Sequence, residues 1–268
     1  MENKVDISNE NKFFMLLKAA LNLPGVQINR TEFLRKELSK NFKPEIVNLA
    51  IERNPAYAGI SIEQIEKIAK SCINHETRNV SLISTAAGIP GGFAMLGTVP
   101  ADAAQYFAHI IRILQKLVYL YGWKELYNAT GEFDDETTDK LTLFIGVMFG
   151  VSAANAAVTK IAQSAALKTE KALVNKALTK GVIYPVVKNI ASILGIKMTK
   201  EIFAKGVGKL IPIVGGIVSG GLTYATFKPA ANNLKVHLKK LPTADVEYCK
   251  SYQDENIEID FTFDFEPE

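Results

Sequence analysis

Residues 88–123 read GIPGGFAMLGTVPADAAQYFAHIIRILQKLVYLYGW. Five glycines and prolines up to Gly97 give way to a long apolar run that starts beside Pro100. Proline in a first helical turn loses a donor that has no intrahelical partner there, so Thr98 and Pro100 are read as a helix start. Asp102, Gln105, His109, Arg112 and Lys116 recur at intervals of three, four, three and four residues. At about 100° per residue they form one narrow polar stripe. The rest of the circumference is alanine, aliphatic or aromatic, from Ala103 and Tyr106 to Leu117 and Val118. A surface helix has a broader polar face, so this helix is expected to be covered on several sides.

A charged seam on a covered helix needs an internal network, a water channel or a bound anion to offset desolvation. The alternative is a narrow solvent face. Asp102, His109 and Arg112 are the weak candidates for acid/base chemistry, and Gln105, Arg112 and Lys116 for holding an anionic ligand. Asp102 and His109 lie about 10 Å apart along a straight helix, too far for a direct hydrogen bond, so another segment would have to complete a catalytic site. The chain has no G-x-S-x-G turn, no H-E-x-x-H pair and no cysteine-histidine cluster, so neither metal nor cofactor is expected.

The 268 residues, 48% hydrophobic, are enough for a substantial core. The net charge of +3 hides an asymmetry. Residues 245–268 hold nine acidic residues and one lysine, a net of −8, and the preceding 244 residues carry +11. Such a tail either solubilises the chain or masks the basic body. Cys72 and Cys249 are far apart, which points to a reducing compartment without a disulfide. The polar, charged first twelve residues do not resemble a secretory signal.

Going outward from the centre, short helices are expected at 12–21, 27–42 and from Pro44 to Ile51, with a break at residues 54–59. Ser61 and Gln64 make a capping box for a helix carrying Ile62, Ile65, Ile68, Ala69 and Cys72. His75 is read as solvent-facing. The acidic cluster Glu132, Asp134, Asp135, Glu136 and Asp139 lacks calcium-loop spacing and reads as a hydrated helix start. Residues 141–158, LTLFIGVMFGVSAANAAV, carry no charge, and are either a marginal bilayer span or a buried helix. From Thr223 to Lys240 helix is expected, interrupted near Pro229. Residues 257–265 alternate Ile257, Ile259, Phe261, Phe263 and Phe265 with polar residues, which predicts a strand that pairs with residues 246–252 or with a second copy of the chain, a route to a homo-oligomer.

Residues 160–209 contain ten lysines and two glutamates, interleaved with aliphatic residues. Basic amphipathic helices of this kind suit an anionic membrane surface. Lys168, Lys171, Lys176, Lys180 and Lys188 are the candidate headgroup contacts; Tyr121 and Trp123 are read first as core packing and otherwise as candidate interfacial anchors. The segment has no arginine and no base-reading motif, which disfavours nucleic acid. Gly88, Gly91, Gly92, Gly215, Gly216, Gly220 and Gly221 are read as close-packing or hairpin positions.

The motif IPGG followed by PADAAQYFAHIIRILQKLVYLYGW, together with residues 211–223, IPIVGGIVSGGLT, resembles the EcsC family over about residues 60–240. The resemblance implies a bacterial protein related to one encoded beside transporter genes and supplies no catalytic mechanism. The expectation is therefore a mainly α, multi-helix globular domain with a short C-terminal β-strand or hairpin. It divides into an N-terminal helical extension (1–59), an EcsC-like core (60–240) and an acidic extension (241–268). The expected function is peripheral association with an anionic membrane surface or a membrane protein at the cytoplasmic face. The alternative is an intracellular enzyme acting on a small anionic substrate through the polar seam.

Overall fold

The computed structural model describes residues 13, 16–87, 101–127, 135–167, 181–190 and 212–251. Helices α1 (residues 16–21), α2 (Arg30–Leu38), α3 (Pro44–Glu52), α4 (Ile62–Ala87) and α5 (Ala101–Leu120) form the first half. They are followed by α6 (Asp135–Met148), α7 (Ser152–Leu167), α8 (residues 181–190), α9 (Pro212–Leu238), a 3-10 turn at Pro242–Ala244 and α10 (Val246–Ser251). The fold is mainly α, as the periodicity predicts, and no strand occurs among the described residues.

Helix α5 is the axis of the core. Phe107, Ile110, Ile111, Ile113, Leu114, Leu117, Val118 and Tyr119 point in all directions around it and every one is buried. Helices α2, α4, α6 and α9 pack against it, and α4 also lies along α9. Leu17, Val26, Leu34 and Leu38 from the first 59 residues join the same hydrophobic cluster. So do Leu241 and Ala244 from beyond α9, which brings described residues of both flanking regions into the central packing.

Local chemistry sets the helix ends. The Asn29 side chain accepts the Glu32 amide at 2.9 Å and starts α2. The capping box at α4 is formed: Gln64 Oε1 accepts the Ser61 amide at 2.9 Å, and Ser61 Oγ accepts the Gln64 amide at 3.4 Å. Helices α5 and α6 both stop in a glycine turn. The Trp123 amide donates to Val118 O at 3.0 Å with Gly122 at φ +92°. The Val151 amide donates to Gly146 O at 2.9 Å with Gly150 at φ +74°. In both, the bonds recover carbonyls orphaned at a helix end.

The second of these turns decides between the two readings of residues 141–158. The uncharged run is a helical hairpin, α6 and α7 folded back at Gly150, too short in either arm to span a bilayer. Among the described residues no helix is long and apolar enough to cross a membrane. Gly146 makes the hairpin close: a Cβ there would sit 2.6 Å from Ala154 Cβ and 2.8 Å from Val186 Cγ1, where α6, α7 and α8 meet.

Three expectations are corrected. Helix α9 runs from Pro212 to Leu238 through Pro229 without a break, its inner side held by buried Phe227, Ala230, Ala231 and Leu234. Tertiary burial there overrides the local penalty of an internal proline. Gly215, Gly216, Gly220 and Gly221 accordingly lie within a helix rather than a hairpin. Residues 246–251, assigned above to a strand partner, are helix α10, started by Asp245, whose carboxylate accepts the Tyr248 amide at 3.0 Å. The predicted strand at 257–265 and Gly88, Gly91 and Gly92 lie outside the described residues.

The two glycine turns separate conformational from steric cost. A Cβ at Gly122 would lie 2.4 Å from the Thr243 carbonyl oxygen, whereas one at Gly150 would meet nothing within 4 Å. In urea unfolding, Gly150→Ala is expected to lose about 1 kcal/mol, the cost of a left-handed backbone for a side chain. Gly122→Ala is expected to lose about 2–5 kcal/mol, because strain and overlap add.

Candidate functional site

Helix α4 buries Ile65, Ile68, Ala69, Cys72, Ile73 and Val80 on its inner face. Glu76 falls in the same register, four residues after Cys72 and four before Val80, and is 0% exposed. A carboxylate in that position requires compensating charge. The α5 stripe supplies it. His109 Nδ1 lies 2.6 Å from Glu76 Oε1, Arg112 Nε donates to the same oxygen at 3.1 Å, and Lys116 Nζ donates to Oε2 at 2.6 Å. The intervals of three and four residues that mark a helical stripe in sequence place these three groups in a row along one carboxylate.

The row also ties down the N-terminal segment. The Arg112 guanidinium, with its side chain 29% exposed, donates to the Gly25 carbonyl. Gln115 Nε2 donates to Val26 O at 2.8 Å, and Gln115 Oε1 accepts the Ile28 amide at 2.8 Å. One turn of α5 thus fastens α4 on one side and residues 25–28 on the other. A second fastening uses Arg30, which is buried and donates to Trp123 O at 3.0 Å, Ile51 O at 2.7 Å and Arg53 O at 3.2 Å. A cation at the end of α3 satisfies carbonyls that the helix leaves open.

A further carboxylate on α4, Glu66, gathers cations at the protein surface. Lys235 and Lys239 of α9 donate to it at 3.1 Å and 2.9 Å, and Lys70 of α4 lies at 3.3 Å. Hydrogen bonds from Lys239, Lys235 and Lys70 hold the Glu66 carboxyl at about 2.

For Glu76, burial alone would raise the carboxyl pKa. The hydrogen bond from His109 and the charges of Lys116 and Arg112 outweigh it and hold the group at about 2, against 4.5 for the free side chain. In its neutral form, His109 places its proton on Nδ1 toward the carboxylate. A carboxylate-oriented imidazole is half of an acid/base couple, but here the imidazole is buried and the carboxylate already binds two permanent cations. Chemically the cluster is an ionic lock between helices.

The other candidates separate. The side chain of Asp102 lies outside the described residues, and Gln105 is half-buried on the same helix. Tyr121 and Trp123, candidate interfacial anchors above, are 1% and 5% exposed. Trp123 packs edge-on to Phe144 with ring centroids 4.9 Å apart, so both aromatic residues are consumed by the core rather than offered to lipid. Lys168, Lys171, Lys176 and Lys180 lie outside the described residues. Lys188 is exposed on α8, while Ile183, Val186, Val187 and Ile190 on its other side are buried. His75 is exposed, as expected. Glu76, the residue that the stripe is built around, was not among the predicted site residues.

Comparison of the chain with family models, with curated proteins and with solved structures gives no match.

Replacing Glu76 by glutamine leaves the part-exposed Arg112 and the largely buried Lys116 beside a neutral amide. Glu76→Gln is expected to destabilise the fold by about 3–5 kcal/mol. Because the carboxyl is depressed to about 2 in the folded chain, its contribution is fully present above pH 4.5 and is lost as pH falls from there toward 2. Urea midpoints measured from pH 7 to pH 3 should fall more steeply for the parent chain than for Glu76→Gln.

Proposed function

We propose that the chain is a peripheral membrane protein, a helical body that binds anionic headgroups at the cytoplasmic face of a membrane through basic helices without crossing the bilayer. The observation that carries the reading is the arrangement of α8. Its aliphatic side is sealed into the protein and Lys188 faces outward, in a segment whose net charge from 160 to 209 is +8. An apolar face already buried is not available for deep insertion, so adhesion is electrostatic first. Each lysine near an anionic surface contributes about 1 kcal/mol, reduced by salt. The resemblance to the EcsC family is part of the same proposal and agrees with a role beside a membrane protein.

The second reading, an enzyme acting on a small anion, has one observation in its favour: His109 and Arg112 converge on a carboxylate. Its substrate would have to displace Glu76, which is wholly buried and already held by both groups and by Lys116, and that weighs against it.

Flotation of the purified chain with vesicles decides between adhesion and none. Recovery with phosphatidylcholine vesicles containing phosphatidylglycerol should exceed recovery with phosphatidylcholine alone by about tenfold at low salt, and the difference should vanish near 0.5 M salt. Equal recovery with both vesicles, insensitive to salt, would reject headgroup recognition.

A further inference from the structure

We infer that the outer face of α4 is a further membrane-facing surface in addition to the basic segment 160–209, and that its ligand is a row of anionic phospholipid headgroups. The inference rests on the peripheral-membrane reading above and adds to it a second, described surface. Lys67, Lys70, His75 and Arg78 are exposed, and in this order they step along α4 by three, five and three residues, keeping to one side of the helix. Leu82 follows on the same side and is 63% exposed, the most exposed large hydrophobic side chain described. From Lys67 to Leu82 the row is about 22 Å long.

What makes the row cationic is the placement of the acid. Between Lys67 and Ala87 the only acidic residue is Glu76, which is wholly buried on the opposite side of the helix against α5. The lock therefore removes from the surface the one negative charge that the helix carries between Lys67 and Ala87. At its N-terminal end the row is widened by exposed Lys239 of α9, which meets Lys70 at Glu66, while buried Lys235 closes the same carboxylate from the inside. Val236, between Lys235 and Lys239 in sequence, is 48% exposed. A straight cationic row ending in a bare leucine matches a lipid surface, where phosphates meet the cations and the leucine enters the interface. A nucleic-acid phosphate backbone would leave that leucine in water.

Partition of three forms of the full-length chain onto phosphatidylglycerol-containing vesicles tests this. The triple variant Lys67→Gln, Lys70→Gln, Arg78→Gln alters exposed side chains only, and circular dichroism checks that its helix content is kept. Its partition coefficient is expected to fall on the order of 100-fold. The quadruple variant Lys168→Gln, Lys171→Gln, Lys176→Gln, Lys180→Gln is expected to lose less than the triple variant. A polarity-sensitive dye placed by Leu82→Cys, in a Cys249→Ser background, should shift to the blue on these vesicles and stay unchanged on neutral ones. If the triple variant binds as the parent does and the quadruple variant fails, the surface is misplaced while the peripheral-membrane function stands. If the parent chain binds neither vesicle, or binds single-stranded DNA instead, both the surface and that function are overturned.

Discussion

One carboxylate organises this molecule. Glu76 lies at the centre of the helix pair α4 and α5 with no contact with solvent, and three groups from successive turns of α5 close on its two oxygens. Hydrophobic packing between two helices leaves their rotation and sliding weakly specified, since many greasy surfaces fit one another nearly as well. A charge buried among apolar side chains has very few acceptable positions, because every misplacement leaves it without a partner. The ion cluster thus fixes α4 relative to the core axis in both rotation and height. Arg112 and Gln115 extend the same constraint to the backbone of residues 25–28.

The two faces of α4 follow from that constraint. Turning Glu76 inward turns Lys67, Lys70, His75 and Arg78 outward, so an interior electrostatic requirement determines an exterior charge pattern. Helix α8 shows the same division on a smaller scale, with Lys188 out and its aliphatic residues in. Near α10 and the 3-10 turn, a glycine fitted against the Thr243 carbonyl lets the end of α5 meet the C-terminal segment. The body offers basic surface without offering a spanning helix among its described residues, which is the combination the proposed function needs.

Much of this was legible in sequence. The polar stripe and the apolar circumference of residues 101–120 identify a core helix with a charged seam, and the spacing alone puts His109, Arg112 and Lys116 in one row. The capping box at Ser61 marks the start of α4 correctly. What the row meets was harder to read, because Glu76 stands beside the more conspicuous His75. The available signal was its register: a glutamate at an interior position of an apolar stripe, between Cys72 and Val80. For Tyr121 and Trp123 the sequence left core packing and an interfacial anchor both open, and the structure places them in the core. Amphipathic rings suit a core and an interface equally well, and the glycine turn at Gly122 folds them inward. Residues 246–252 alternate weakly enough that the Asp245 cap decides for helix. Pro229 breaks a helix in isolation, but the buried residues around it hold one in this fold.

The bond between Glu76 and the α5 stripe is a specific coupling rather than a by-product of packing. A double-mutant cycle between Glu76→Gln and Lys116→Met, read by urea unfolding at pH 7, measures that coupling with the common losses cancelled. A coupling energy of about 1.5–3 kcal/mol is expected for partners in one buried network. Additivity to within about 0.5 kcal/mol would contradict the account.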